Sequence, residues 1–119
     1  MVRFKGVNHI ALVTGVLDQT VRFWRDLLGL PLVGGLGDAS YRQYFFELSK
    51  LMLVSFFEWP GAEPVEERDP GWAVRGPIDF DHLCLEVEDE DDLWKLKDRL
   101  EAAGSRHGGR TSASSSPGT

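Results

Sequence analysis

Apolar positions along the chain fall into short runs of two kinds. Val7-Asn8-His9-Ile10-Ala11-Leu12-Val13 is β-branched and apolar and is closed by Thr14-Gly15, so it predicts a strand. The next stretch sets Leu17, Val21, Trp24, Leu27 and Leu28 at helical spacing, with Asp18, Arg22, Arg25 and Asp26 on the other side, and stops at Gly29 before Pro31. This predicts an amphipathic helix of about three turns. After Gly34-Gly35-Leu36-Gly37, the runs Tyr41 to Leu48 and Leu51 to Glu58 flank a Ser49-Lys50 break and predict a hairpin. With Pro31 to Gly34 as a short first strand, a three-strand meander follows the helix. From Trp59 to Pro77 the composition shifts to Pro, Gly, Glu and Asp, which reads as a linker. Phe80-Asp81-His82-Leu83-Cys84-Leu85-Glu86-Val87 predicts another strand. Asp89 then predicts an N-cap, Glu90, Asp91 and Asp92 suit the helix dipole, and Leu93, Leu96, Leu100 and Ala103 form the apolar stripe before Gly104. The remainder, Ser105 to Thr119, carries no strand pattern and reads as a flexible low-complexity tail.

Composition narrows the classes of function. A chain of 119 residues that is 42% hydrophobic and 11% aromatic has the length of one domain and enough apolar matter for a core. No apolar run is long enough to cross a bilayer, which argues against a membrane partner. The net charge of −6, with no basic stripe, argues against nucleic acid. A lone Cys84 has no internal disulfide partner, and the first residues lack a signal-peptide pattern, so a cytoplasmic protein is expected.

The two strand-helix units resemble each other. Asn8-His9-Ile10-Ala11-Leu12 corresponds to Asp81-His82-Leu83-Cys84-Leu85, and at the same offset of 82 − 9 = 73 residues Arg22 meets Lys95, Phe23 meets Leu96 and Leu27 meets Leu100. Duplication of a module explains this; shared apolar spacing between any two strand-helix pairs is the alternative. Strand alternation sets His9, Ala11 and Val13 on one face and Ile10 and Leu12 on the other. His82, Cys84 and Glu86 likewise oppose Leu83, Leu85 and Val87. Each histidine therefore points away from the face that its helix covers. A histidine satisfied by a core hydrogen bond usually sits alone, whereas these two are equivalent. The pair favours a ligand or catalytic role, because neutral imidazole is the commonest metal ligand.

At Asn8-His9-Ile10-Ala11-Leu12, Val21-Arg22-Phe23-Trp24-Arg25-Asp26-Leu27-Leu28-Gly29-Leu30, Phe56-Phe57-Glu58-Trp59-Pro60 and Phe80-Asp81-His82 the chain resembles the vicinal oxygen chelate superfamily of glyoxalases, bleomycin-resistance proteins and extradiol dioxygenases. The resemblance runs from Val7 to about Gly104. It implies an α+β fold of paired βαβββ modules around a divalent metal, with His9 and His82 as ligands. Glyoxalase-type relatives add a glutamate at the place of Ser55, and the last strand of a complete second module carries a further one. The expected organisation is a first module over 1–58, a linker over 59–77, a partial second module over 78–104 and a tail over 105–119. Glu58 should face away from Ser55, at the end of its strand, and His107 should lie exposed in the tail. Phe45, Ser55, Phe57, Cys84 and Glu86 are the expected substrate-side residues.

Two functional classes compete on this basis. The first is a metal-dependent dioxygenase-like enzyme, or its shortened remnant, that chelates vicinal oxygens of a small substrate. Fe(II) is the favoured ion, with Mn, Zn or Ni as others. The second is a metal-free, drug-sequestering protein of the bleomycin-resistance type, with Phe45, Phe57, Trp59 and Trp72 as aromatic walls. A homodimer is expected of a chain whose second module is incomplete, because the incomplete sheet leaves ladder groups and an apolar face uncovered.

Overall fold

In the computed structural model the described residues are 1–63, 69–74 and 81–104, together with the backbone of 112–115. The chain divides into two compact units, Met1–Pro64 and Val65–Thr119.

The first unit runs β1 (His9–Thr14), α1 (Leu17–Val21), a π-helical segment (Arg22–Leu27), β2 (Leu32–Gly37), β3 (Arg42–Ser49) and β4 (Met52–Glu58). The strands form one mixed sheet in the order β1-β4-β3-β2, with β1 parallel to β4 and the other pairs antiparallel. This is the βαβββ arrangement that the hydrophobic pattern predicts. One face of the sheet carries Ile10, Leu12, Val54, Phe56, Phe46 and Tyr44, and against it pack Leu17, Val21 and Trp24 from the helical segment. Among the described residues, Leu17, Val21, Phe46, Val54 and Phe56 are the buried hydrophobic ones.

The helix differs from a regular three-turn α-helix. After Val21 the chain widens, and the Leu28 N–H donates to the Phe23 carbonyl, a five-residue step, at 2.9 Å. The apolar spacing is satisfied all the same, because Trp24 reaches Phe56 with ring centroids 5.4 Å apart. Gly29 ends the segment at φ 83°, the left-handed conformation that favours glycine after a helix.

A carboxylate outside the helix holds its start. Glu58, at the end of β4, accepts the Leu17 N–H at 2.8 Å and both Nε and Nη2 of Arg42 at 2.9 Å. Its side chain is 17% exposed. The Arg42 hydrogen bonds, then that of Leu17, hold the Glu58 carboxyl below its ordinary range. A carboxyl lowered in the folded state adds stability at neutral pH and loses it as pH falls through its folded value. In urea denaturation, Glu58→Gln is therefore expected to lower the midpoint at pH 7 and to converge on the wild type as pH drops through the carboxylate range. A constant difference across that range would contradict this role.

The second unit contains β5 (Cys84–Val87), α2 (Glu90–Ala102) and β6 (Ser112–Ser115), with β5 and β6 parallel. Asp89 caps α2 as expected, accepting the Asp92 N–H at 2.9 Å. Leu85 and Val87 of β5, and Leu93, Leu96 and Leu100 of α2, are half-buried, so the expected apolar sides are the covered ones. None of the described residues here reaches full burial.

Two sequence expectations are corrected. The strand begins at Cys84, so His82 and Leu83 precede it, whereas Phe80 lies outside the described residues. The tail, expected to be strandless, pairs Ser112–Ser115 with Cys84–Val87. Side-chain pattern had spoken against a strand, but ladder formation needs only backbone N–H and C=O groups and an open edge, which β5 supplies. The backbone pairing also delimits β5, since its paired residues are those facing β6. His107 lies outside the described residues.

Candidate functional site

The sheet face away from the helix collects most of the first unit's expected site residues. Register places Ala11, Ser55 and Phe45 in one row across β1, β4 and β3, flanked on the same face by the row Val13, Phe57 and Gln43 and by the row His9, Leu53 and Glu47. Residues in one cross-strand row share a face, so His9, Phe45, Ser55 and Phe57 lie on a common surface. His9, Ala11 and Val13 are exposed there, while Ile10 and Leu12 turn toward the core. The alternation read from the sequence is thus the observed one.

Ser55 is fully buried despite being on this face. Its hydroxyl accepts from Gln43 Nε2 at 3.4 Å and donates to the Ile10 carbonyl at 3.5 Å. Gln43, which sequence reasoning did not single out, is itself 8% exposed. The one signal in the sequence was a polar residue in the middle of a predicted strand, which needs a partner once buried; the partner itself shows only in the structure. Phe57 belongs to an aromatic group with Trp59 and Tyr41. The Phe57 and Trp59 rings lie nearly parallel, 4° apart with centroids at 6.1 Å, and Tyr41 stands 6.0 and 5.6 Å from them. Trp59 is 44% exposed. Glu58 faces the other way, as its register with Thr14 and Arg42 requires, and is occupied by the helix start.

Each histidine is held by the side chain that precedes it. His9 Nδ1 lies 2.8 Å from Asn8 Oδ1, and His82 Nδ1 lies 2.8 Å from Asp81 Oδ2. Both rings are exposed. Their Nε2 atoms are therefore the nitrogens available to a ligand. His82 belongs to the second unit, as do Cys84 and Glu86, which are the exposed alternates of β5. Trp72, also in that unit, is exposed.

Within each unit by itself, an imidazole whose Nδ1 is engaged presents Nε2, the form in which a neutral histidine can ligate a divalent cation. No group of three or more His, Cys, Asp and Glu side chains able to hold a metal ion occurs among the described residues. The carboxylate of a three-ligand site is thus not assigned. A cavity of about 380 Å³ opens at the β3–β4 turn, lined by Asn8, Glu47, Lys50, Met52 and Leu53 among others, so it adjoins His9 through Asn8.

Comparison with known proteins points one way. The sequence profile described as Glyoxalase/Bleomycin resistance protein/Dioxygenase superfamily matches residues 6–112. A glyoxylase/bleomycin resistance protein/dioxygenase domain from Frankia sp. EAN1pec superposes with a TM-score of 0.67 at 25% identity, covering 86% of this chain and 71% of that one. The fosfomycin resistance protein FosX from Listeria monocytogenes, crystallised with Mn(II) and sulfate, gives a TM-score of 0.61 at 18% identity, over 86% of this chain and 74% of that one. The trypanothione-dependent glyoxalase I of Leishmania major gives 0.58 at 16%, over 85% and 68%. Comparison with curated protein sequences gives no significant match. No helix among the described residues is long and apolar enough to cross a membrane.

Proposed function

Because the chain belongs to the glyoxalase/bleomycin resistance protein/dioxygenase superfamily, we propose that it is a divalent-metal-dependent, dioxygenase-like enzyme acting on a small substrate with vicinal oxygens, and that His9 and His82 are its metal ligands. The observation that carries this reading is the repeated pair of an exposed histidine and a preceding side-chain acceptor on Nδ1. Structural histidines have no reason to repeat that geometry in two modules. Crystals of FosX with Mn(II) support a divalent ion for the fold. Fe(II) is the favoured ion, because two imidazoles with open positions suit non-haem iron chemistry, with Mn, Zn or Ni as the other choices.

When bound, the ion supplies Lewis-acid stabilisation of the charge that develops on two chelated oxygens. The protein's own part is to present Nε2 of each histidine and to shape the surface beside it. Phe45 and Phe57 supply apolar area, Ser55 holds Gln43 in place beneath them, and Cys84 and Glu86 supply polar contacts from β5. A homodimer is part of the proposal, since the described part of the second unit lacks fully buried residues and a partner surface would cover it. A reducing cytoplasm suits a chain whose single cysteine, Cys84, is exposed and in no disulfide.

Anaerobic loading of the purified protein with Fe(II), and separately with Mn(II), tests the reading. The expected result is one ion per chain by metal analysis, and the absence of a stoichiometric ion with either metal overturns it.

One observation favours a second reading, a metal-free binding protein of the bleomycin-resistance type. The Tyr41, Phe57 and Trp59 group offers a partly exposed aromatic wall on which a flat ligand can stack. Fluorescence titration with flat aromatic ligands separates the two: binding that survives loss of both histidines favours sequestration.

A further inference from the structure

The segment Asp69-Pro70-Gly71-Trp72 has the composition of a type II turn, with proline second and glycine third. Its structure agrees. The Trp72 N–H donates to the Asp69 carbonyl at 3.2 Å, and Gly71 has φ 83°, a value that glycine reaches without a Cβ penalty. In such a turn the third residue's N–H is not used by the turn's own hydrogen bond. Here it donates to Asp81 Oδ2 at 2.7 Å. The same oxygen lies 2.8 Å from His82 Nδ1.

A carboxylate oxygen accepts hydrogen bonds and, at neutral pH, has none to donate. The hydrogen between Asp81 and His82 therefore resides on Nδ1, and the neutral ring keeps its lone pair on Nε2. A backbone N–H on the same oxygen fixes where that oxygen stands. The first unit uses the same device with an amide: at the equivalent position, 81 − 73 = 8, Asn8 Oδ1 stands 2.8 Å from His9 Nδ1.

We infer that Asp81 is the positioning residue for His82, anchored by the Gly71 turn, and that it selects the tautomer presenting Nε2 to a metal, with Asn8 doing the same for His9. The selection of the tautomer stands on the geometry alone; its use for metal binding rests on the proposed function above. Outer hydrogen-bond partners of this kind orient a ligand and raise its basicity. Gly71 extends that shell into the Pro-Gly-rich segment, which reads from the sequence as a linker only.

Ring nitrogen NMR of the metal-free, full-length protein, labelled with ¹⁵N-histidine and held at pH 8, tests the inference. In the wild type His82 is expected as the Nδ1–H tautomer. Asp81→Ala is expected to lose that state, whereas Asp81→Asn retains it, because the amide oxygen accepts from both Nδ1–H and Gly71 as Asn8 accepts in the first unit. Circular dichroism and the urea midpoint establish that each variant is folded. Mn(II) titration is then expected to show affinity about 10- to 100-fold weaker for Asp81→Ala than for Asp81→Asn. An Nε2–H tautomer in the wild type, or an unchanged tautomer in a folded Asp81→Ala, overturns the inference. If the tautomers behave as stated and no variant binds Mn(II), the metal-dependent function fails while the positioning role stands.

Discussion

Replacing either His9 or His82 by alanine is expected to abolish stoichiometric Mn(II) or Fe(II) binding, with an affinity loss beyond the roughly 10- to 100-fold that follows removal of an outer-shell partner. Each imidazole is a ligand in the proposed site, and no other histidine, cysteine or carboxylate cluster among the described residues replaces it. The equality of the two losses is the sharper part. If the modules are functional equivalents, His9→Ala and His82→Ala behave alike, and the double variant is no worse than either. Glu58→Gln serves as the control, because that carboxylate is engaged by Arg42 and the helix start on the other face of the sheet. Its Mn(II) affinity should match the wild type. Isothermal titration under anaerobic conditions reads the four variants against the wild type. A histidine variant that keeps wild-type affinity removes that residue from the ligand set.

Phe46→Ala is expected to cost about 3–5 kcal/mol, the range for truncating a fully buried aromatic residue. Phe46 is completely buried, meets Phe56 edge-on with centroids 6.1 Å apart, and belongs to a group of five buried hydrophobic residues among those described. Net stabilities of small proteins are about 5–15 kcal/mol, so this loss consumes much of the total. Urea denaturation followed by tryptophan fluorescence suits the measurement, since Trp24 lies 5.4 Å from Phe56 and reports on the same core. Leu51→Ala provides the contrast: its side chain is exposed at the β3–β4 turn, and its effect should stay within about 0.5 kcal/mol. Equal effects for the two would mean that the helix-covered face is not the principal core.

The candidate site was legible in the sequence to the extent that periodicity governs it. Alternation placed His9, Ala11 and Val13 opposite Ile10 and Leu12, and the structure keeps that division because the helix can cover one face only. The same logic turned Glu58 away from Ser55. What periodicity does not register is the partner of a polar group. Glu58 reads as a strand-end surface residue, yet it joins Leu17, Arg42 and the start of α1 across 41 residues of sequence. Gln43 passes as one polar residue in a strand until its register with Phe57 and its bond to Ser55 are seen. Asp81 and Gly71 sit ten residues apart, and no spacing rule announces their hydrogen bond.

By itself the sequence determined the βαβββ order, the helix-covered face, the Asp89 cap and the two equivalent histidines. These depend on local spacing and on the side-chain preferences of single residues, which are written in the chain. Tertiary structure alone decided the π-helical widening after Val21, the pairing of Ser112–Ser115 with β5, and the hydrogen bond from the Gly71 N–H to Asp81. Those features depend on which backbone edge or polar atom is left open when the elements meet, and that is a property of the assembled fold.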